Sequence, residues 1–366
     1  KMNRRIRRIK KLQNSIAGQN LDAMIITRPA NIFYLTGVNL FDFQRGSSLL
    51  VFRKNWRLVS SVFYQNRIEG FVPKNNRAYF PRGGSIAETA AKELAQQKTV
   101  GFERDDVSYA WFEIFKKSLR GKKMIPVLGA AEQFRQIKDE EEIKLIRKAA
   151  RITDKTFAQL LKLIKPGVAE LFLKRKILEM MQDMGAQKCS FDPIVASGKN
   201  SADPHYEGSN KKIKAGEMVV IDIGARYKNY DADMTRMVFV GKAPTKYKNL
   251  YSLVLQTQQK AIAECKAGAS PAQIFENAVN NFAAAGEDEF FTHGLGHGVG
   301  IDIHELPNLS PKGEGALENN MVFTVEPGLY HPGWGGIRIE DLCRMKNGKA
   351  EILSRTPKNL IEIQVK

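Results

Sequence analysis

Residues 217–240 read Glu217-Met-Val-Val-Ile-Asp222-Ile-Gly-Ala-Arg226-Tyr-Lys-Asn-Tyr230-Asp231-Ala-Asp233-Met-Thr235-Arg236-Met-Val-Phe-Val240. The run before Gly224 is the pattern of a strand buried on both faces, and Asp222 interrupts it. A lone carboxylate in that position is costly to desolvate without a partner. Past a short turn at Arg226–Tyr230, Asp233 and Thr235 alternate with Met234 and Arg236, so they share one strand face. A hairpin can then face Asp222 toward Asp233.

The pattern recurs downstream. Met321-Val-Phe-Thr-Val-Glu326 is an apolar strand ended by a carboxylate, and Gly336-Ile-Arg338-Ile-Glu340 sets Arg338 and Glu340 against two isoleucines. Asp222, Asp233, Glu326 and Glu340 cannot all stay ionised together unless positive charge sits among them, and one arginine is too little. A pair of divalent cations is the economical answer, and oxygen ligands with one imidazole suit Mn, Co, Zn or Fe. The five histidines, His205, His293, His297, His304 and His331, all lie in the second half of the chain. Three cluster in His293-Gly-Leu-Gly-His297-Gly-Val-Gly-Ile-Asp-Ile-His304, where the alternate glycines are expected to let backbone approach a ligand or metal.

Outward from this centre, Lys138-Asp139-Glu140-Glu141-Glu142 opens a long helical pattern through Ile143, Ile146, Ala150 and Phe157 that stops at Lys165-Pro166-Gly167. A second helix is predicted over 169–184, strands over 191–239, helices over 246–285, and strands again to the end. The pattern is α+β with two similar halves. The preceding segment alternates helices and strands. Met2, Ile6, Ile9, Leu12 and Ile16 form an amphipathic helix, strands follow at 23–27, 49–52 and 56–63, and a helix spans 85–97. An α/β first domain over 1–138 and a second domain over 139–366 are the expectation.

Hydrophobic residues at 43% and charged residues at 26% describe an ordinary folded protein. Of the net charge of +18, residues 1–139 carry +15, from 26 Lys/Arg against 11 Asp/Glu. No recognition helix, zinc finger or RNP-like pattern accompanies that charge, so a solvated basic surface is expected rather than a nucleic-acid site. Cys189, Cys265 and Cys343 form no C-x-x-C pair, which fits a reducing cytoplasm. No apolar run reaches the roughly 18 residues of a membrane span, and the basic start leads to no signal-peptide core. The glycines at 294–300 do not spell a dinucleotide fingerprint, no P-loop exists, and His304-Glu305 lacks the second histidine of H-E-x-x-H.

Taken together, Val219-Val-Ile-Asp-Ile-Gly-Ala, Tyr230-Asp-Ala-Asp-Met-Thr-Arg, the His293 to Gly300 run, Thr324-Val-Glu-Pro-Gly and Gly336-Ile-Arg-Ile-Glu-Asp resemble the prolidase/Xaa-Pro aminopeptidase branch of the pita-bread metallopeptidases. Five motifs in the right order carry the likeness over about residues 140–366. Asn31-Ile-Phe-Tyr-Leu-Thr-Gly resembles a marker of the creatinase-type amino-terminal domain. The resemblance implies two divalent metal ions, Mn favoured, held by Asp222, Asp233, His297, Glu326 and Glu340. Asp233 and Glu340 would bridge both ions, Asp222 would chelate one, and His297 and Glu326 the other. It implies a water between the metals as nucleophile, with Glu326 shuttling its proton to the leaving nitrogen. His205 would contact substrate, His304 would stand near the scissile carbonyl as the oxyanion forms, and Arg338 would orient Glu340 or a substrate group. A homodimer acting on proline-containing peptides is implied.

Two departures bear on specificity. Between His304 and Glu326, where dipeptidases of the family commonly offer an arginine for a free carboxylate, Lys312 is the only basic residue, and position 206 is Tyr where many relatives have Gly. The expected reaction is therefore that of an Xaa-Pro aminopeptidase, with the Xaa-Pro dipeptidase (prolidase) as its alternative. A metal-free peptide- or histone-binding pita-bread module and a creatinase-like amidinohydrolase are opposed by the survival of all five ligands. A methionine aminopeptidase usually lacks the first domain.

Overall fold

The computed structural model describes residues 4–41 and 46–365, and the chain separates into two compact units, one ending at Arg135 and one beginning at Gln136. The division precedes the expected boundary by three residues. Lys138 belongs with the second unit because its N–H donates to Asn320 O at 3.0 Å and its side chain is buried there.

In the first unit, α1 (Arg4–Gly18) buries Ile9, Leu12 and Ile16. Met2 lies outside the described residues. Ile6 is exposed, and the buried place next to the stripe is taken by Arg8, which donates to Tyr34 O at 3.0 Å and lies over the Tyr34 ring. Strands β1 (Ala23–Ile26), β2 (Ser47–Phe52), β3 (Trp56–Ser61), β4 (Arg77–Phe80), β5 (Thr99–Glu103) and β6 (Lys123–Val127) form a mixed sheet in the order β4-β3-β2-β1-β5-β6. The third strand stops two residues before the predicted end, because the Ser61 hydroxyl accepts from Phe63 N–H and turns the chain into a 3-10 segment. Helices α2 (Pro29–Thr36), α3 (Gln65–Glu69), α4 (Ile86–Glu93), α5 (Tyr109–Ser118) and α6 (Glu132–Arg135) complete the unit. Ser85 is the cap of α4 rather than its first residue. Ile25, Leu50, Val59 and Val100 pack with Ala87, Ala90, Trp111 and Phe115. Asn31 donates to Glu103 at 2.6 Å and Glu132 at 2.8 Å and accepts from Arg135 at 2.9 Å, tying three elements together.

The second unit opens with α7 (Glu140–Leu160), started by a capping box in which Asp139 accepts from Glu141 and Glu142 N–H and Glu142 reaches back to Asp139 N–H. Next come α8 (Glu170–Asp183), β7 (Lys188–Cys189), β8 (Ile194–Ser197), β9 (Met218–Ile223), β10 (Ala225–Tyr227), β11 (Tyr230–Asp231) and β12 (Met234–Val240). Then follow α9 (Thr245–Glu264), α10 (Pro271–Ala283), β13 (Gly296–Gly298), β14 (Glu305–Leu309), β15 (Val322–Val325), β16 (Gly328–His331), β17 (Gly335–Arg338), β18 (Asp341–Lys346), β19 (Lys349–Ile352) and β20 (Ile361–Ile363). One sheet runs β20-β12-β9-β8 and a second runs β14-β13-β15-β18-β19. These are the two α/β halves, helices preceding strands in each.

Strand periodicity divides the apolar residues between two cores. Val219, Ile221 and Ile223 of β9 pack with Phe157 and Leu160 of α7 and Ile177 of α8, and truncating a buried phenylalanine such as Phe157 to alanine costs about 3–5 kcal/mol. Met218 and Val220, on the opposite face, join Tyr247 and Val254 of α9, Phe282 of α10 and Phe323 and Val325 of β15. Asp222 continues this second face, which looks toward the other half.

Candidate metal centre

Strands β9 and β12 are antiparallel with Asp222 directly opposite Thr235, which places Asp233, two residues earlier, on the same face. The chain between them forms the separate β10–β11 hairpin, whose two-residue turn puts Lys228 and Asn229 at positive φ. Asp231 stays on that hairpin, 3.3 Å from Arg226, and takes no part in the cluster. Asp222 and Asp233 are 8% and 6% exposed, and Glu340, between β17 and β18, is 1% exposed.

The other half delivers His297 and Glu326. Thr324 Oγ1 accepts from His297 N–H at 3.0 Å and donates to Glu326 Oε1 at 2.9 Å, so one hydroxyl aligns both residues. His297 Nε2 lies 3.2 Å from Glu326 Oε1 and 3.7 Å from Asp233 Oδ2. Its Nδ1 is 3.1 Å from Gly298 O, the contact that assigns the proton to Nδ1 and turns Nε2 toward the carboxylates. Glu340 Oε2 accepts from Thr235 Oγ1 at 2.7 Å. The alternate glycines let neighbouring backbone pack closely. Side chains at Gly296 and Gly298 would collide with the backbone carbonyls of Thr324 and Leu306, so the glycines permit close strand packing, which in turn sets His297.

Asp222 Oδ1, Asp233 Oδ1 and Glu340 Oε1 are buried with no hydrogen-bond partner, and ligand atoms of Asp233, His297 and Glu340 all lie within 4.8 Å of one another. Buried orphan acceptors cost stability unless a cation completes them. The electrostatics agree. Burial, followed by Glu340, Asp222 and Glu326, pushes the Asp233 carboxyl well up, and burial with Glu326 and Asp222 does the same to Glu340. Asp222 is raised by burial despite Arg338. Burial opposes ionisation of Glu326 too, but the hydrogen bond and charge of His297 bring it down to about 2. Four carboxylates and one imidazole are a hard donor set suited to a divalent cation, and the residues fit one.

The cleft above this cluster has a volume of about 530 Å³ and is lined among others by Phe191, His205, Tyr206, His293, Ile303 and His304. His205 and His304 stand on its wall, each reachable by solvent while recessed in the cleft. The His304 ring stands 4.3 Å from that of His297 and is held below the usual imidazole range by burial, then by the His297 and His205 charges. Arg338 differs from expectation. Its guanidinium donates to Asp222 Oδ2 at 2.6 Å, Thr235 Oγ1 at 3.0 Å and Tyr330 Oη at 2.8 Å, so it orients Asp222 rather than Glu340. Glu340 is oriented by Thr235 instead, and by Arg236, which donates to the Glu340 carbonyl. Tyr330 passes the bond on to His293 Nε2 at 2.9 Å, and His293 Nδ1 meets Gly294 O at 2.7 Å, which makes His293 a braced wall residue. His331 is outside the cleft, 3.0 Å from Glu287 and stacked on Phe290. Tyr330, Thr324 and Glu170 went unseen in the sequence. The last is fully buried and accepts from Ser197, Asn200, Ser209 and the hydroxyl of Tyr206.

Comparisons with known proteins show the family and the fold. The family model for metallopeptidase family M24 matches residues 144–347, and that for the creatinase/prolidase N-terminal domain matches residues 8–137. The chain is 34% identical to an Xaa-Pro dipeptidase of Pyrococcus horikoshii over 97% of its length and 98% of that protein. Its fold matches the structure of an Xaa-Pro dipeptidase from Bacillus anthracis with a TM-score of 0.92 and 32% identity, covering 98% of this chain and 100% of that one. An X-Pro aminopeptidase from Thermotoga maritima matches with a TM-score of 0.85 and 31% identity, over 96% and 100%.

Proposed function

The chain belongs to metallopeptidase family M24, and from that premise we propose that this metallo-exopeptidase removes the residue preceding a proline from the amino terminus of longer peptides, as an Xaa-Pro aminopeptidase. The observation that carries the choice is the charge of the cleft. Among the described residues no lysine lines it, and its one arginine, Arg338, is already bonded to Asp222, Thr235 and Tyr330. A free dipeptide carboxylate finds no unengaged lysine or arginine there, whereas a peptide that continues past proline needs none. The prolidase reading is supported by the similarity to Xaa-Pro dipeptidases.

In this reading Asp222, Asp233, His297, Glu326 and Glu340 hold two divalent cations, with manganese favoured. When bound, such ions polarise the scissile carbonyl and make water acidic enough to attack near neutral pH. Glu326, ionised beside His297, takes the proton of the attacking water and returns it to the leaving nitrogen. His205 binds substrate, and His304 donates to the oxyanion as it develops. Asp222 is held in place by Arg338, and Glu340 by Thr235. We further assign a homodimer and a cytoplasmic location, the latter because Cys189, Cys265 and Cys343 are buried free thiols. No helix among the described residues is long and apolar enough to cross a membrane.

Xaa-Pro and Xaa-Pro-Yaa peptides, offered after chelation and after return of Mn, Co or Zn, test the proposal. Hydrolysis of the tripeptide alone supports the aminopeptidase, and hydrolysis of the dipeptide alone transfers the assignment to prolidase.

A further inference from the structure

Lys138 directly precedes the Asp139 cap of α7, a surface position at which a lysine ordinarily stays in water. Here its side chain is 1% exposed and its ammonium lies 2.6 Å from Glu305 Oε1, itself on a side chain 5% exposed. A buried ion pair seldom repays its desolvation in stability, so the segment it holds is informative. Glu305 ends the stretch 299–305 that carries His304. Asp231 N–H donates to Gly300 O at 2.8 Å, and Arg226 Nη2 donates to Ile301 O at 2.9 Å. A Cβ at Gly300 would occupy the place of the Glu305 carboxylate, so the stretch is folded tightly over that group. No hydrogen bond of the His304 side chain is seen among the described residues. Apart from the edge of its ring against His297, its place in the cleft is set by the backbone beneath it.

We propose that Lys138 is a positioning residue for His304, acting through Glu305, with Arg226 securing the same stretch from its other end. The inference rests on the peptidase reading for its kinetic consequence but not for its structural one. A charge pair that holds the base of the stretch limits how far the imidazole can drift from the developing oxyanion, and a displacement of about 1 Å there is enough to cost roughly 100-fold in rate.

The test pairs amide hydrogen exchange with kinetics on the metal-loaded, full-length protein. In Lys138→Met, exchange at residues 299–305 should rise while the amides of β9 and β12 stay protected. On an Xaa-Pro-Yaa peptide kcat should fall roughly 10- to 100-fold with little change in KM or metal content. Lys138→Arg should restore most of the rate, and in a His304→Ala background Lys138→Met should lower kcat no further. If Lys138→Met does not fold, Lys138→Met with Glu305→Gln leaves no buried unpaired charge and is compared in the same way. Unchanged exchange at 299–305, or an equal fall in both backgrounds, overturns the proposal. If the wild-type protein cleaves no Xaa-Pro-Yaa peptide, the aminopeptidase reading falls, the kinetic comparison moves to the Xaa-Pro dipeptide, and the exchange result alone decides whether the clamp exists.

Discussion

Thr235 and Glu340, 105 residues apart, are joined by a hydrogen bond of 2.7 Å from the threonine hydroxyl to Oε2, which leaves Oε1 of that buried carboxylate as an open acceptor. Thr235→Val keeps the shape and removes the bond. Metal affinity should drop about 10- to 100-fold with the fold intact, read by titration of the metal-free protein and by circular dichroism.

Asp233→Ala and Glu340→Ala should each abolish metal binding and activity together, since both would hold metal at the centre of the proposed ligand set, where their ligand atoms and that of His297 lie within 4.8 Å of one another. Elemental analysis that finds two metals per chain in either variant refutes the ligand set. Metal at a hundred times Kd should also stabilise the wild-type protein, by about 2.7 kcal/mol per site, and so raise its melting temperature. Neither variant should show that rise.

His304→Ala removes a cleft side chain proposed to face substrate, so turnover should fall while metal content is unchanged. Loss of metal in this variant would move His304 into the ligand set.

Tyr206 stands in the cleft wall with its hydroxyl 2.9 Å from Glu170 Oε2 and 2.8 Å from Asn200 Nδ2. Tyr206→Phe takes one donor from a buried carboxylate and should cost about 1.5–3 kcal/mol in denaturant unfolding. Tyr206→Ala opens the wall and should lower the KM of peptides with a bulky first residue relative to small ones. An unchanged ratio would show that the ring does not limit the substrate.

Glu103, in the first unit, is pushed up to about 7 by burial, then opposed by the Arg28 N–H and raised further by Glu132. Its folded value exceeds the ordinary 4.5, so the native state binds the extra proton between those values. Stability is then full below about pH 4.5 and is lost as pH rises through about 7, by about 3 kcal/mol in all. Glu103→Gln should flatten that part of the stability profile, measured by chemical denaturation across pH 4.5–7.

Local pattern made much of this protein legible. The alternation in 217–240 marked β9 and β12, the cap at Asp139 marked the start of α7, and acids at apolar strand positions marked Asp222, Asp233, Glu326 and Glu340. Those signals are local because side-chain direction repeats every two residues in a strand and because capping uses neighbours in the chain. The partners of those residues were another matter. That Arg338 reaches Asp222 across 116 residues, that Thr235 rather than Arg338 holds Glu340, and that Lys138 is buried against Glu305 depend on which strands and loops meet. Only packing of the two halves decides that, and a charged side chain carries the same letter whether it is solvated or sealed inside. So the acids at the heart of the cleft could be read from their own strands, while the bonds that aim them exist only once distant parts of the chain have been brought together.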